Sequence, residues 1–379
     1  MIQQVVDAVI EAGTRRSPLR ITGSGTWCDA GRPGRPAERL DLATLTGIVE
    51  YEPGDLTLTA RAGTTLREIE AATRENGQFL ALDPYGAPNS TLGATMATAS
   101  YGALSHAFGG PRDAALGLEF VTGDGRVARG GGRVVKNVAG FDLTRLLVGS
   151  WGTLGVITEA SVRLRALPEC DETFALPLPA DASALAAMLA ALRAAPIAPW
   201  CAELVCVNLA NDLALGTGAA ILLRLAGNRE SVAAQTVAVA ALGHSSPVPS
   251  ITWEALRDFE RILPPVAKAD DSECLVARFS SRPSNLVETW MHALAVASTG
   301  DGRAHATLAR GVARVKLTGP SPSLRGALRL PFGGTTIFEK LPFALWSDVA
   351  PAADDAIARG LRSRFDPQGV LNPGILGAA

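Results

Sequence analysis

Asp83-Pro84-Tyr85-Gly86-Ala87-Pro88-Asn89-Ser90-Thr91-Leu92-Gly93-Ala94 opens a long stretch of glycines and small residues. It runs through Gly109-Gly110-Pro111-Arg112-Asp113 and closes at Gly149-Ser150-Trp151-Gly152-Thr153-Leu154-Gly155-Val156-Ile157-Thr158. Little charge interrupts it before Arg112-Asp113. Glycine has no side chain to bury and loses the most backbone entropy on folding, so a dense run of it weakens a packed core. A chain keeps such a run where its backbone passes close to something. The expectation here is a large ligand lying along the main chain.

Working outward, 379 residues exceed one ordinary core, and two domains are expected. Hydrophobic residues at 47% and charged residues at 19% leave ample material to bury in a soluble globular chain. The net charge of -2 supplies no global field for nucleic acid or an anionic membrane surface. Five scattered cysteines (Cys28, Cys170, Cys201, Cys206, Cys274) form no CxxC pair. They argue against a disulfide framework, a zinc site or an iron–sulfur site, and read as thiols in a reducing compartment. Met1-Ile2-Gln3-Gln4-Val5-Val6-Asp7 has no basic region followed by an apolar core, so no signal peptide is expected. No uncharged apolar run reaches the roughly 18 residues of a membrane span. A cytoplasmic location follows as the expectation.

Ahead of the glycine-rich stretch, residues 2–12 carry a helical pattern, and Leu19-Arg20-Ile21 is a short strand running into Thr22-Gly23-Ser24-Gly25-Thr26. A strand opening into such a turn can aim successive N–H groups at an anion. Cys28 stands where the dinucleotide fingerprint needs another glycine, and Pro33 and Pro36 prevent the long helix, so this is no Rossmann motif and alone reads as a turn. Residues 56–62 alternate as a strand. A helix over 66–76 follows, capped by Thr64 or Thr65 and stopped by Gly77. Residues 115–122 and 126–128, joined at Asp124-Gly125, make a β-hairpin. A short helix spans 142–147 and a strand 155–167. The regular alternation of a doubly wound parallel sheet is absent. Pro168 to Glu172 marks a boundary. Beyond it the pattern predicts helices over 181–194, 228–241, 252–262 and 284–297, with strands over 200–207, 219–225, 273–279, 303–316 and 335–341. A helix over 351–364 precedes the tail, and nothing repeats at a fixed period.

With these residues in view, the chain resembles the FAD-binding flavoproteins of the vanillyl-alcohol oxidase and D-lactate dehydrogenase type. Four blocks carry the likeness: Gly23-Ser24-Gly25-Thr26; Pro84 through Gly102; Arg112-Asp113 with Gly152-Thr153-Leu154-Gly155-Val156-Ile157; and Asp366-Pro367-Gln368-Gly369-Val370-Leu371-Asn372-Pro373-Gly374. The run from Val134 to Ser150 is similar to the FAD-binding E subunits of bacterial glycolate oxidases. The resemblance implies an α+β chain: a two-subdomain FAD-binding domain over 1–168 (about 1–80 and 81–168), an α+β, ferredoxin-like cap domain over 169–341, and a helix and tail over 342–379 returning to the FAD domain. It implies non-covalent FAD, because no histidine follows Gly25. It further implies Gly23, Ser24, Gly25 and Thr26 at the pyrophosphate, and Pro84, Gly93, Thr98, Ser100 and Gly102 along the cofactor's path. Arg112, Asp113, Gly152, Gly155 and Ile157 belong to the same site, with Ile157 beside the adenine or ribose, and Asn372 reaches back towards the flavin. Two positions depart from the family: Tyr101 replaces one glycine, and Ala99 stands where many relatives have asparagine.

Oxidising a 2-hydroxy acid requires hydride loss from the α-carbon, a group or metal to handle the hydroxyl proton, and a cation for the carboxylate. Relatives with a complete active site supply clustered histidines and an acid. The four histidines here (His106, His244, His292, His305) lie far apart without metal-ligand spacing. His305, in Arg303-Ala304-His305-Ala306-Thr307-Leu308-Ala309-Arg310-Gly311, resembles a worn version of the family's histidine–glycine segment. His106 reads as a packing or surface residue, and no metal is expected. Three readings follow. The first is the FAD-binding subunit of a glycolate oxidase complex, oxidising a small 2-hydroxy acid to glyoxylate beside a D-type flavoprotein subunit and an iron–sulfur F-type subunit. It would be peripheral to the inner membrane through that complex, without nucleic acid or a membrane span of its own. The second is a stand-alone dehydrogenase using Arg303, Arg310, Arg314 or Lys316 for the carboxylate. The third is a scaffold that has lost FAD, motivated by Tyr101 and Ala99.

Overall fold

Residues 2–34, 36–84, 89–132, 141–259, 273–351 and 353–377 are described by a computed structural model of the chain. Tyr85 to Pro88, the run Val134 to Gly140 and the end of the helix expected over 252–262 lie outside the described residues. The chain divides into two units. Residues 1–102, 109–167 and 350–379 form the first, and 103–108 with 168–349 form the second.

In the first unit the strands are β1 (Leu19–Thr22), β2 (Glu38–Asp41), β3 (Ile48–Glu52), β4 (Thr57–Arg61), β5 (Gln78–Phe79), β6 (Ala115–Val121), β7 (Val127–Gly131), β8 (Val156–Arg163) and β9 (Arg165–Ala166). β1 and β2 pair in parallel, and β5 and β9 antiparallel. The rest build an antiparallel sheet in the order β3-β4-β8-β6-β7. Period-two alternation explains its two faces. Leu58 opposite Val162, Ala60 opposite Ala160 and Phe120 opposite Ile157 are buried with Leu92, Met96 and Leu147. The other face carries Thr59, whose hydroxyl meets that of Ser161 at 2.8 Å, with Glu119 and Arg129. A second core joins Val5, Val6 and Val9 of the helix Ile2–Arg15 to Val121, Val156, Val370 and Leu371. The helix Leu66–Arg74 opens on a capping box: Thr65 accepts from the Glu68 N–H, and Glu68 accepts from the Thr65 N–H at 2.7 Å.

The glycine-rich stretch contains an unexpected helix, Leu92–Thr98. Gly93, Thr95 and Thr98 are weak helix formers, so its stability comes from its neighbours. Thr91 caps it. The Leu92 N–H donates to Thr64 O and the Gly93 N–H to Ala62 O, each at 2.8 Å.

The second unit holds β10 (Cys170–Pro177), β11 (Cys201–Val205), β12 (Ala220–Gly227), β13 (Ser246–Pro247), β14 (Glu273–Ser280), β15 (Asp301–Thr307), β16 (Val312–Gly319) and β17 (Thr335–Lys340). They form one antiparallel sheet in the order β13-β10-β12-β11-β15-β16-β14-β17. The single strand expected over 303–316 is two strands. Residues 308–311 turn between them, with Gly311 in the left-handed region at φ +60°, where a Cβ would lie 2.7 Å from Ser281 O. The helices Val207–Asp212 and Ser321–Leu328 were also not foreseen. Each half runs strand–helix–strand–strand–helix–strand, and each has the spatial order fourth-first-third-second of a ferredoxin-like unit. The two second strands, β11 and β15, pair and fuse the halves. The internal repeat is therefore one of topology, which no residue period showed. Helices cover the face holding Ala304, Ala306, Ala313 and Val315, and Gly302 is on that face because a Cβ there would lie 2.2 Å from Ala297 O. Residues 342–349, expected with the tail, belong to this unit, where Leu345 and Trp346 are buried.

Candidate functional site: a cleft in the first unit

Four separate segments of the first unit converge. The loop 23–26 lies on the start of the helix Leu92–Thr98, and a Cβ on Gly23 would come 2.3 Å from Thr91 Oγ1. Ser24 Oγ donates to Asn89 O at 2.8 Å, and the Thr26 and Ser90 hydroxyls meet at 3.3 Å. The end of the same helix receives the turn 149–152. Gly149 N donates to Met96 O at 3.0 Å and Trp151 N to Ala97 O at 2.8 Å. Gly149 and Gly152 sit at φ +85° and +70°, a region glycine adopts freely. The tail then closes the ring. Asn372 is buried; its Oδ1 accepts from the Ile21 N–H at 2.8 Å and its Nδ2 donates to Trp151 O at 2.7 Å. Its own N–H donates to Leu19 O at 2.9 Å. Asp366 organises the turn before it, accepting from the Val370 and Leu371 N–H groups at 3.1 and 2.8 Å. Burial pushes the Asp366 carboxyl above its ordinary pKa, and those donors oppose the shift.

These segments enclose an open cleft. Of the residues expected at the cofactor, Gly23, Gly25, Thr26, Gly93, Thr98, Gly152, Gly155, Ile157 and Asn372 line it. The others do not. Ser24 is turned to Asn89. Pro84 is buried outside the lining. Ser100 is buried, and its hydroxyl has no partner among the described residues. Gly102 donates its N–H to Asp83 Oδ1 at 3.1 Å, and a Cβ there would collide with Asp83 O. Arg112 donates to Val148 O from Nε and Nη2, both at 3.3 Å, and Asp113 accepts from the Gly110 N–H at 2.8 Å. This pair braces the short helix Pro111–Ala114 against the turn 148–149. Arg20, Trp27, Cys28, Trp151 and Ile375, which the sequence reading did not single out, line the cleft too. The Trp27 and Trp151 rings meet edge to face, with centroids 5.9 Å apart. Their signal was the pair of tryptophans beside two glycine turns.

The residues fit a flat, anionic, extended cofactor. Close packing at Gly23, Gly93, Gly152 and Gly155 leaves each without room for a Cβ, which keeps main chain rather than side chains on the wall. Ser24, Gly25 and Thr26 offer three successive N–H groups that meet no acceptor among the described residues, the arrangement of an anion-binding nest.

In the second unit, the sheet face opposite the helices is polar and deeply buried. His305 Nδ1 lies 2.7 Å from Glu203 Oε2, and Thr307 Oγ1 donates to Glu203 Oε1 at 2.6 Å. Arg314 donates from Nη1 and Nη2 to the two oxygens of Glu339 at 3.0 and 2.5 Å, and Lys316 donates to Phe259 O at 3.2 Å. Arg303 is paired with Asp212 and Asp301. His106 accepts from the Ala309 N–H at 3.3 Å, and burial, helped by Arg310 and opposed by Glu203, lowers its pKa. Among the described residues, no group of three His, Cys, Asp or Glu side chains could hold a metal ion. No described helix is long and apolar enough to cross a membrane.

Residues 1–131 match the family model described as "FAD binding domain". Glycolate oxidase subunit GlcE of Escherichia coli (strain K12) is 42% identical over 168 residues, 44% of this chain and 47% of that protein. Glycolate oxidase subunit GlcD of Bacillus subtilis (strain 168) is 37% identical over 185 residues, 48% of this chain and 39% of that protein. The matched segment thus spans less than half the length of either relative. The fold is that of p-cresol methylhydroxylase, which superposes with a TM-score of 0.74 at 14% identity over 100% of this chain and 87% of that one.

Proposed function

From the premise that its N-terminal third is an FAD-binding domain, we propose that this chain is the FAD-holding subunit of an assembly that oxidises a small 2-hydroxy acid, glycolate to glyoxylate. The proposed partners are a D-type flavoprotein subunit and an iron–sulfur F-type subunit. The observation that carries this reading is the convergence of loop 23–26, the helix Leu92–Thr98, the turn 149–155 and Asn372 on one cleft. Bound there, FAD would supply an acceptor for two electrons from the donor's α-carbon. The loop N–H groups of Ser24, Gly25 and Thr26 would hold its pyrophosphate. Gly93, Gly152 and Gly155 would let the main chain lie against it. Asn372 would fix the cleft's walls relative to one another. The identity with a protein named as a glycolate oxidase subunit supports the choice of substrate and assembly. So does the engagement of three of the four cations considered for a carboxylate, Arg303 and Arg314 in ion pairs and Lys316 by Phe259 O.

A second reading, a stand-alone 2-hydroxy-acid dehydrogenase, is favoured by one observation. Glu203 holds His305 in a buried pair, and such a pair can accept a hydroxyl proton. An absorbance spectrum of the purified chain, followed by anaerobic glycolate, separates the two. A flavin spectrum that stays oxidised alone and bleaches once the partner subunits are added is expected. Bleaching by the chain alone would establish the second reading, and a colourless protein that takes up no FAD would reduce the chain to a scaffold.

A further inference from the structure

Among the described residues, Arg20 is the only charged side chain lining the cleft. It also lines an adjoining cavity with Arg32, Asp29 and Gly31, so the residue borders both spaces. β1 fixes it there, because the buried Leu19 and Thr22 on the same strand anchor the backbone on either side. Arg20 donates once, from Nη2 to Ala30 O at 3.3 Å. No carboxylate pairs with it among the described residues. A guanidinium carries five donors in a planar fork suited to phosphate oxygens. Burial lowers its pKa, with Cys28, the titratable neighbour in the same wall, opposing the shift. The guanidinium is therefore partly stripped of water and has no compensating anion from the protein.

We propose that Arg20 is the counter-charge for the diphosphate of the bound cofactor, working with the N–H groups of residues 24–26. The inference rests on the reading of the cleft as the FAD site and adds a residue that the glycine motif does not contain. The loop supplies dipoles, and Arg20 supplies a full positive charge on the cleft wall for a ligand that brings two negative ones. Charge-assisted, bidentate bonds of this kind are about twice as strong as neutral ones.

The test is a titration of the FAD-free full chain with FAD, followed by tryptophan quenching, for wild type, Arg20→Gln and Arg20→Lys at several salt concentrations. Arg20→Gln is expected to weaken FAD binding by roughly 10- to 100-fold, with a flatter dependence of affinity on salt. Arg20→Lys, which keeps a point charge without the fork, is expected to fall between. Far-ultraviolet circular dichroism and Tm of the FAD-free variants should match wild type. Binding by Arg20→Gln within about twofold of wild type would overturn the proposal. So would weakened binding with an unchanged salt slope, which would make Arg20 a support for the loop at Ala30 instead. Should Arg20→Gln not fold, Arg20→Met, which keeps the stem and removes the charge, decides by the same two readouts. Failure of wild type to bind FAD saturably would remove the FAD reading itself, a result distinct from the other two.

Discussion

Replacing Asn372 by alanine removes the tie between the tail and the cleft, and the size of the effect can be worked out in advance. Two main-chain groups, the Ile21 N–H and Trp151 O, lose their partners at 2.8 and 2.7 Å. A buried group left unsatisfied costs about 1–3 kcal/mol. Asn372 also sits at φ +44°, where asparagine is tolerated and alanine adds about 1–2 kcal/mol. Ile21 is half-buried, so water can partly satisfy its N–H and the sum falls near the lower end, about 3–4 kcal/mol. That is a large share of the roughly 5–15 kcal/mol holding a domain folded. Denaturant unfolding of Asn372→Ala should show the loss, and hydrogen exchange should show the Ile21 amide opening faster than its neighbours in β1. Asn372→Gly, which relieves the backbone but restores no bond, should recover only about 1 kcal/mol. A loss under about 1 kcal/mol for Asn372→Ala, or an Ile21 amide as protected as before, would refute the role assigned to this side chain.

Three other outcomes are expected. Gly93→Val should destabilise the first unit by at least about 2 kcal/mol in thermal melts, since even its Cβ would stand 2.6 Å from Ala62 Cβ in a site built of backbone. Arg314→Ala strips buried Glu339 of its bidentate partner and leaves it Arg278 at 3.9 Å, which should cost about 3 kcal/mol; denaturant midpoints decide. The His106 pKa is depressed in the folded chain, so the unfolded chain takes up its proton first. Stability should fall as pH drops below the ordinary histidine value of 6.5 and level off beneath the folded pKa, and His106→Gln, which keeps an acceptor for Ala309, should flatten that fall in melts at pH 7.5 and 5.5.

Where local chemistry decided the conformation, the sequence was readable. Thr65 and Glu68 formed their capping box, Asp124-Gly125 made the β6–β7 turn, and the glycines at 23, 93, 152 and 155 came together because each is placed where a Cβ cannot go. Where tertiary partners decided it, the sequence was silent. Leu92–Thr98 is helical because Ala62 and Thr64 receive its first N–H groups, and residues about 30 positions upstream of such a segment cannot be paired with it by pattern. The hairpin at 308–311 hid inside a continuous apolar alternation whose one break was Gly311. Arg112 and Asp113 carried charges into the expected cofactor region, yet those charges satisfy Val148 O and the Gly110 N–H. Arg20 reads as an ordinary strand residue in the sequence, because only the fold shows that no carboxylate pairs with it among the described residues.

The pairing of Leu19 with Leu371, and of Ile21 with Asn372, spans almost the whole chain, 351 residues for the latter. During synthesis at about 5–20 residues per second, β1 therefore emerges roughly 20–70 s before the segment that completes its edge. Within that interval the entire second unit is made and can fold as an insertion between the parts of the first. Of the cleft's walls, the one contributed by Asn372 and Ile375 is made last, so the cleft is complete only after the second unit has been synthesised. The half-made first unit presents an unpaired strand edge for as long as translation lasts, which makes slowed elongation after residue 167 a direct route to aggregation of this chain.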